Sequence, residues 1–325
     1  MTKKTVVVGL GAICKNHINP TLKYSSLYGV CDVDKEKAKK YSIDYNCKAF
    51  FDFEDALKDE NVTTVHICTP HFLHFPMAKA AVLAKKEVVL EKPAVISMDE
   101  YYELKKLSEQ TKCMIVLQNR YNPCVRYIKE NWDNLGLGSL IGLKGLLFWY
   151  RSPEYYKESN WRGKYKTEGG GLLINQAPHI LDLLQYFGGE IEKIEGNSHT
   201  RFLSGIIEVE DTSEGTIHFE NGVKAFFYGT NGFPTNNPMD IELVFEKGSL
   251  RYDYNRLIMV TEDETKELAS DSIVTGAKSY WGAGHDAIIK RFYETEDDFP
   301  KIADYEQTAK IIDTLVKSKG ERSWK

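Results

Sequence analysis

Residues Thr5–Cys14 read TVVVGLGAIC, an apolar run followed by two glycines separated by one residue. The apolar run predicts a buried β-strand, and we expect a helix to begin at about Ala12. In such a strand–turn–helix unit, the first glycine permits a tight turn and the second lets the backbone approach a pyrophosphate group. The candidate cofactor-binding residues here are Gly9, Gly11, Ala12 and Ile13. Cys14 replaces the third Gly or Ala of the dinucleotide fingerprint, so the match is imperfect.

Strand-like and helix-like runs alternate from this segment to about residue 120. The further strand-like runs are Leu27–Cys31, Lys48–Phe50, Val62–Cys68, Glu87–Leu90 and Met114–Gln118. This alternation predicts an α/β domain over residues 1–120, a doubly wound parallel sheet of the Rossmann type that binds NAD. Residues 121–325 differ, because the hairpin signal Asn221-Gly222 lies among successive strand-like runs. They predict an α+β domain with a large, mostly antiparallel open sheet for substrate binding and oligomerisation.

The bulk composition excludes several classes of protein. The chain has 325 residues, enough for two domains, with 27% charged residues and a formal net charge of −5, which gives no argument for nucleic-acid binding. No apolar run is long enough to span a membrane, and because the N-terminus passes directly into a predicted strand we expect no signal peptide. Six scattered cysteines without a C-x-x-C pair indicate reduced thiols rather than disulfides or a zinc site. We therefore expect a cytoplasmic protein.

Asp32 follows the second predicted strand, about twenty residues after the glycines. A carboxylate at this position can accept hydrogen bonds from both adenosine ribose hydroxyls and would repel a 2′-phosphate, which favours NAD over NADP. Lys35 lies nearby, and its positive charge leaves NADP as an alternative cofactor. The alternative role for Asp32 is to cap the next helix, although Asp34 could cap it instead.

Five further candidate residues follow the fourth and fifth predicted strands. Thr69-Pro70 would line the crevice beside the nicotinamide, and His74 just beyond is either a cofactor contact or a polar residue at a helix start. Glu91-Lys92-Pro93 follows an apolar strand, so Glu91 and Lys92 would lie where the reactive ring of a cofactor binds.

A second set of polar residues comes from the segment Gly169–Asp182, which reads GGGLLINQAPHILD. We expect one helix over Leu172–Phe187, on which Asn175, His179 and Asp182 form a single polar stripe. Apolar residues cover the rest of that helix, so the stripe faces buried partners or a cleft, or alternatively water. The glycines suit close approach of the backbone to a ligand, or a flexible loop.

With a nicotinamide cofactor, the expected chemistry is hydride transfer coupled to proton transfer at a hydroxyl or carbonyl. His179 is the best general acid or base, because the ordinary histidine pKa of about 6.5 lies near working pH. Lys92 can hydrogen-bond the substrate oxygen or, with a lowered pKa, carry the proton itself. Glu91 is expected to orient Lys92 or its loop, and Asp182 either orients His179 or packs the helix. No metal site is predicted.

The substrate-binding candidates are weaker. They are Arg120, Tyr150, Tyr156, Trp161 and Arg162, with Asp182 from the helix. Aromatic and guanidinium groups suit sugar rings, carboxylates or phosphates. The alternative is that these residues belong to loops and core without contacting a ligand.

Taken together, these motifs resemble the glucose–fructose oxidoreductase / inositol dehydrogenase family (Gfo/Idh/MocA). The matching residues are Gly9-x-Gly11 with His17, Thr69-Pro70 with His74, Glu91-Lys92-Pro93, and Gly169–Gly171 leading to His179 and Asp182. The resemblance covers essentially the whole chain. It implies NAD(P)-dependent oxidation or reduction of sugars, sugar acids, cyclitols or nucleotide sugars, with a catalytic lysine at Lys92 and an acid/base histidine at His179. It also implies a homodimer or homotetramer formed through the second domain's open sheet.

One position departs from that pattern. Polyol dehydrogenases of the family usually carry Asp four residues before the histidine, and this chain has Asn175. An amide can orient a hydroxyl but cannot take a proton, which argues against an inositol dehydrogenase. Two other functions stay open: a glycosidase that oxidises its substrate transiently with bound NAD, and a non-catalytic sensor of NAD or a metabolite.

Overall fold

The computed structural model describes residues 3–253, 255–271 and 284–318. These residues form two compact units: 3–118 with 285–306, and 119–253, 255–271 and 284 with 307–318. The predicted boundary near residue 120 lies two residues from this division, and residues 285–306 belong to the first unit instead of the second. Within the described residues, no helix combines the length and apolar character needed to cross a membrane.

The first unit is a six-stranded parallel sheet with helices between successive strands. Its strands are β1 (Lys4–Val8), β2 (Ser26–Cys31), β3 (Lys48–Phe50), β4 (Thr64–Ile67), β5 (Glu87–Leu90) and β6 (Cys113–Ile115). Its helices are α1 (Lys15–Tyr24), α2 (Lys35–Asp44), α3 (Phe53–Lys58), α4 (His71–Leu83), α5 (Met98–Ser108) and α11 (Gly284–Glu294). The strand order β3-β2-β1-β4-β5-β6 confirms the predicted Rossmann-type fold.

The position of a ligand site follows from this strand order. Strands β2 and β3 are added on one side of β1, and β4, β5 and β6 are added on the other. The strand order therefore reverses between β1 and β4, which are neighbours in the sheet. Open α/β sheets bind ligands at the carboxyl ends of the strands at such a point. Val6 and Val7 are fully buried in β1, so the glycine turn that follows is attached to a rigid strand.

The first helix begins later than predicted. The sequence suggested a start at about Ala12, but α1 begins at Lys15. Residues 11–14 form a turn instead, in which the Cys14 amide donates to the Gly11 carbonyl over 3.4 Å. Gly11, Ala12 and Ile13 therefore lie in a loop at the carboxyl end of β1.

The second unit is an eight-stranded sheet with helices on one face. Its strands are β7 (Leu140–Phe148), β8 (Ile191–His199), β9 (Thr212–Phe219), β10 (Lys224–Thr230), β11 (Asp240–Phe245), β12 (Gly248–Asp253), β13 (Arg256–Thr261) and β14 (Thr265–Ser270). Its helices are α6 (Pro123–Asn131), α7 (Pro153–Lys157), α8 (Tyr165–Glu168), α9 (Leu172–Asn175), α10 (Pro178–Gly188) and α12 (Glu306–Lys317). All strand pairs are antiparallel except β7 with β10, which confirms the mostly antiparallel sheet.

Glycines on the strands let two helices lie close to the sheet. A Cβ at Gly145 of β7 would stand 2.8 Å from Leu184 of α10, and one at Gly215 of β9 would stand 3.1 Å from Leu315 of α12. The opposite face has no helix over it among the described residues. Phe226 on β10 is 60% exposed there, and Val244 on β11 is 39% exposed.

The predicted single helix over Leu172–Phe187 is wrong. The structure has two helices, α9 and α10, separated by Gln176 and Ala177. Pro178 accounts for the break, because proline has no amide hydrogen and suits the first position of a new helix. Asn175 and His179 therefore lie on different helices, and only His179 and Asp182 share one.

Candidate active site

The glycine turn after β1 has the geometry that a dinucleotide needs. Gly9 has φ +86°, and a Cβ on it would stand 2.7 Å from the Cys68 carbonyl oxygen, so only glycine fits without strain. Its amide donates to the Cys31 carbonyl over 2.8 Å. At Gly11, by contrast, a Cβ would meet no atom within 4 Å. The open space beside Gly11 fits the close approach of a pyrophosphate.

Asp32 connects the end of β2 to this turn. One carboxylate oxygen accepts the Leu10 amide over 2.8 Å, and the other accepts the Asp34 amide over 2.9 Å. Asp34 itself caps α2, since its side chain accepts the Lys37 amide over 3.1 Å. Capping is thus assigned to Asp34, and Asp32 is placed beside the glycine turn, as ribose binding requires.

His74 joins the loops that follow β4 and β5. It is buried in α4, with Nδ1 2.6 Å from the Pro93 carbonyl oxygen and Nε2 2.8 Å from the Thr69 carbonyl oxygen. Burial lowers its pKa, although both carbonyl groups act in the opposite direction. Thr69-Pro70 and Lys92-Pro93 are therefore held together, and the Lys92–Pro93 peptide bond is cis.

The Glu91 carboxylate is the centre of a buried cluster. Its Oε1 accepts from Nε2 of His17 over 2.9 Å and from Nε2 of His285 over 3.2 Å. Its Oε2 accepts the Lys92 backbone amide over 3.2 Å. All three side chains of the cluster, Glu91, His17 and His285, are buried. Glu91 therefore fixes the backbone of the residue that follows it.

A longer chain of hydrogen bonds starts at this carboxylate. An ionised carboxylate only accepts, so His17 donates to it from Nε2. Nδ1 of His17 lies 3.1 Å from Nδ1 of His66, and Nε2 of His66 lies 2.8 Å from the Tyr293 hydroxyl. Burial lowers the pKa of His66 well below its usual value, which keeps this ring neutral.

The charge on Glu91 is stable in this setting. Burial alone would raise the pKa of Glu91, but hydrogen bonds from His17 and His285 outweigh it and hold the pKa well below its usual value. The ligand-type atoms of these three residues lie within 4.8 Å of one another, a spacing that a metal ion could also use. Both imidazoles already donate to the same oxygen at hydrogen-bond length, which accounts for the cluster without an ion.

In the second unit, the structure brings Asn175 next to a carboxyl group. Asn175 Nδ2 donates to Glu168 Oε1 over 2.6 Å and lies 3.5 Å from the Tyr155 hydroxyl. These two contacts give the Asn175 amide a defined orientation. His179 is the second residue of α10 and is 9% exposed.

The glycine triplet is held by a buried glutamate rather than being a flexible loop. Glu210 Oε1 accepts the amides of Gly171 and Leu173, each over 2.9 Å. A Cβ at Gly171 would overlap the Glu210 carbonyl oxygen, so the glycine permits close approach of two protein segments. The close approach at Gly171 is thus to Glu210 of the same unit.

The segment before the triplet stacks a guanidinium group between aromatic rings. The Arg162 guanidinium carbon lies 4.5 Å from the ring centroid of Tyr155 and 4.6 Å from that of Trp161. The Trp161 carbonyl accepts from the Thr167 hydroxyl over 2.6 Å, which holds this loop against α8. Tyr150, on the loop after β7, is 47% exposed.

Arg120 and Asp182 bind each other. The Arg120 guanidinium donates through Nε and Nη2 to the two Asp182 oxygens over 2.8 and 2.7 Å, in the bidentate geometry of strong ion pairs. Asp182 also accepts from the Thr308 hydroxyl over 3.0 Å. Both side chains are largely shielded from water, and the pair connects α10 to the segment that carries Arg120. Tyr156 is likewise buried, and its hydroxyl accepts from Asn231 over 3.2 Å.

Sequence reasoning missed four histidine and glutamate residues of these sites. They are His66, Glu168, Glu210 and His285. Glu168 directly precedes the glycine triplet, so its position could have drawn attention to it. The other three lie far along the chain from their partners, and no local pattern marks them.

Comparison with protein families identifies both units. Residues 3–119 match the GFO/IDH/MocA model of an oxidoreductase family with an NAD-binding Rossmann fold, and residues 125–251 match the GFO/IDH/MocA C-terminal domain. Levoglucosan dehydrogenase of Pseudarthrobacter phenanthrenivorans is 23% identical, over 89% of this chain and 85% of that protein. Glucose-6-phosphate 3-dehydrogenase of Bacillus subtilis is 27% identical, over 57% of this chain and 53% of that protein.

Solved structures have the same fold. The WlbA dehydrogenase of Bordetella pertussis, in complex with NADH and UDP-GlcNAcA, has a TM-score of 0.81 at 24% identity, over 97% of this chain and 95% of its own. An inositol dehydrogenase homologue of Azotobacter vinelandii, in complex with NAD⁺, has a TM-score of 0.87 at 15% identity, over 98% of this chain and 95% of its own.

The two glycines of the turn are expected to respond differently to alanine. Gly9→Ala should lower the free energy of unfolding by about 1–3 kcal/mol, because the new methyl group is strained and meets the Cys68 carbonyl. Gly11→Ala should leave stability unchanged but weaken NAD binding about tenfold or more, because its methyl group occupies the space for the pyrophosphate. Urea unfolding and fluorescence titration with NADH measure the two effects. Equal effects of both variants on stability would contradict this assignment.

Glu91→Gln should destabilise the first unit. The carboxylate accepts from three N–H groups, whereas a glutamine amide offers one oxygen and turns an NH₂ group toward the remaining donors. A lowering of the free energy of unfolding by about 1–3 kcal/mol is expected. Glu36→Gln is the control, since the Glu36 side chain is 85% exposed. Identical urea midpoints for the two variants would show that the cluster does not hold the loop.

Proposed function

Because the chain belongs to the GFO/IDH/MocA oxidoreductase family, we propose that it is an NAD-dependent dehydrogenase that transfers hydride between nicotinamide and a sugar-type hydroxyl or carbonyl carbon. The sequence resemblance to this family is confirmed, and the chain is an NAD(P)-dependent oxidoreductase acting on CH–OH groups. The substrate class and the roles of individual residues are the proposal.

The observation that carries the proposal is the buried network that fixes the Lys92 backbone at the carboxyl end of β5. Glu91 accepts the Lys92 amide, and His74 binds the Pro93 carbonyl, so the loop is held on both sides of Lys92. The glycine turn follows β1 at the same edge of the parallel sheet. A lysine is thus held at the edge where the fold binds its cofactor.

The first unit has the residues to hold NAD. Gly9 and Gly11 form the turn, and Asp32 beside it is proposed to accept from the ribose hydroxyls, which would disfavour the 2′-phosphate of NADP. When bound, NAD supplies a nicotinamide ring that accepts or donates hydride. Lys92 is proposed to donate a hydrogen bond to the substrate oxygen and stabilise the negative charge that develops on it.

His179 is proposed as the acid/base group. It removes the hydroxyl proton during oxidation and returns it during reduction, a role that suits the ordinary pKa range of histidine. His179 follows Pro178 at the start of α10. The ion pair between Arg120 and Asp182, one turn later, holds this part of the helix in place. Asn175 is proposed to orient a second substrate hydroxyl through its side-chain amide.

A ring-shaped, hydroxyl-rich substrate is supported by the second unit. The Arg162 guanidinium group lies beside the rings of Tyr155 and Trp161. The Tyr155 hydroxyl in turn lies 3.5 Å from the Asn175 amide nitrogen. Aromatic faces pack on the C–H surfaces of sugar rings, and a guanidinium group binds carboxylate or phosphate substituents. The named relatives act on levoglucosan and glucose 6-phosphate, which lie in the same chemical class.

A panel of sugars, sugar acids, cyclitols and nucleotide sugars, assayed with NAD and NADP for reduced nicotinamide, tests the function. At least one panel sugar should reduce NAD, and Lys92→Ala and His179→Ala should each lower kcat by about 10²–10⁴-fold with it. Lys39→Ala, an exposed lysine on α2, is the control and should keep full activity. Full activity in both site variants would overturn these roles, and glycoside hydrolysis without net NADH would indicate the glycosidase alternative.

We also propose that the open face of the second unit's sheet joins copies of the chain into a homodimer or homotetramer. Phe226 and Val244 lie exposed on this face beside Lys144, which pairs with Asp240 and Glu242 over 3.2 Å each. A mixed apolar and charged surface of this kind is typical of a protein–protein interface.

Phe226→Glu should therefore convert the assembly to monomers, because it places a charge in the apolar part of that face. Ile43→Glu is the matched control, since Ile43 on α2 is 78% exposed and lies on the first unit. Light scattering coupled to size-exclusion chromatography measures the mass. A wild-type monomer, or a Phe226→Glu protein of unchanged oligomeric mass, would contradict this interface.

A further inference from the structure

Two guanidinium groups border the ring of Tyr155 in the second unit. The guanidinium carbon of Arg162 lies 4.5 Å from the Tyr155 ring centroid, and that of Arg151 lies 5.3 Å from it. Each also lies beside a tryptophan. Arg162 is 4.6 Å from the centroid of Trp161, and Arg151 is 4.9 Å from that of Trp149. Aromatic faces attract cations, so three rings hold two positive charges in one place.

These two cations have no acidic partner among the residues that the structure describes. Arg120 of the same unit is paired with Asp182, whereas neither Arg151 nor Arg162 forms an ion pair with a described carboxylate. The Nε–H group of each is buried and donates to no described acceptor. Because like charges beside a single ring repel each other, an anion bound to both would lower the energy of the arrangement.

The contacts that hold these side chains are with neutral groups. Arg151 donates through Nη1 to the Tyr150 carbonyl over 2.6 Å and to Asn236 Oδ1 over 2.8 Å. The backbone amide of Arg162 donates to the Ser159 hydroxyl over 3.2 Å, which fixes the loop that carries it. Neutral acceptors orient the guanidinium groups without cancelling their charge. Both arginines are half-buried, so part of each stays accessible.

The acidic group that acts on Arg162 through space is Glu168, and it does not balance the two charges. Its carboxyl oxygens accept the Gly163 amide over 2.5 Å and Nδ2 of Asn175 over 2.6 Å. Burial raises the pKa of Glu168 to about 7, although the charge of Arg162 acts in the opposite direction. At neutral pH this group therefore has only part of one negative charge, against two guanidinium groups.

The surrounding sequence is also basic. Residues 151–166 contain five basic residues and two acidic ones, in a chain whose formal net charge is −5. The basic residues are Arg151, Lys157, Arg162, Lys164 and Lys166, and the acidic ones are Glu154 and Glu158. The three lysines are exposed. A local positive charge on a negative protein attracts anionic small molecules to this segment.

We propose that Arg151 and Arg162 bind an anionic substituent of the substrate, which is therefore a sugar acid or a phosphorylated sugar. A guanidinium group binds carboxylate or phosphate through two parallel N–H donors, a geometry that both oxyanions share. The inference rests on the proposed function, because the Tyr155 ring connects the arginines to the substrate site through Asn175. The arginines determine which sugar binds and take no part in hydride or proton transfer.

The first test needs no turnover. The full-length protein is labelled with ¹⁵N at arginine side chains, and the Nε–H signals are identified by their loss in Arg151→Lys and Arg162→Lys. Inorganic phosphate and acetate are each added at constant ionic strength against chloride. At least one should shift both signals along a saturating curve and leave that of Arg126, which pairs with Glu130, unchanged. No saturating shift with either anion, or an equal shift at Arg126, would overturn the anion site.

The second test compares sugars that differ only in charge. The panel sugar that reduces NAD fastest is assayed in its neutral, acid and phosphorylated forms. One anionic form should have a kcat/KM about 10–100-fold above that of the neutral form, as expected for charge-assisted hydrogen bonds. Preference for the acid identifies a carboxylate ligand, and preference for the phosphorylated form identifies a phosphate ligand. A neutral form that is used equally well would contradict the proposal.

Variants of Arg162 separate recognition from folding. Arg162→Gln should raise KM for the preferred anionic form about 10–100-fold and leave kcat and the KM of the neutral form unchanged. Arg162→Lys keeps the charge without the planar fork and should have an intermediate KM. Arg126→Gln is the control and should match wild type. Equal loss with both forms of the sugar, in a variant with a wild-type unfolding midpoint, would refute recognition of the anion.

Failure of this inference is distinguishable from failure of the proposed function. If no panel sugar reduces NAD, the proposed function fails, while the titration with phosphate and acetate still tests the two arginines. If a neutral sugar reduces NAD and neither anion shifts the arginine signals, the proposed function stands and the anion site is refuted.

Discussion

The buried Glu91 carboxylate is the constraint on which the rest of the first unit depends. One anion accepts hydrogen bonds from α1 through His17, from α11 through His285, and from the backbone of Lys92. A buried charge is tolerated only when its hydrogen bonds are satisfied, so these elements must take up fixed positions around it. The consequence is that the loop after β5, which carries Lys92, is held by the core of the fold rather than by its own sequence.

The second unit uses buried carboxyl groups in a different way. Glu210 and Glu168 both border the glycine triplet, and burial raises the pKa of each to about 7. Glu210 binds two backbone amides and sets the path of the triplet, whereas Glu168 binds the side-chain amide of Asn175. Buried acidic groups thus organise both units, Glu91 in the first and Glu168 and Glu210 in the second.

Short-range patterns predicted most of the fold. The alternation of strands and helices, the glycine turn and the Asn221-Gly222 hairpin all depend on neighbours in sequence, and Gly222 indeed has φ +84°. The break at Pro178 could have been predicted, because proline favours a helix start, but the 3.6-residue apolar period concealed it. The contact of His285 with Glu91 could not have been predicted from the sequence, because 194 residues separate the two. The pairing of Arg120 with Asp182 also depends on tertiary contact, which composition and spacing do not reveal.

Direct hydride transfer from a sugar carbon is the central claim, and isotope transfer measures it. A panel sugar deuterated at every ring carbon is incubated with the enzyme and NAD, and the reduced cofactor is examined by mass spectrometry and ¹H NMR. One deuterium is expected in each reduced nicotinamide, on a single face of the ring, together with a carbonyl group in the sugar. The account would be contradicted if no reduced cofactor accumulated, with the sugar either unchanged or released from a glycoside by hydrolysis.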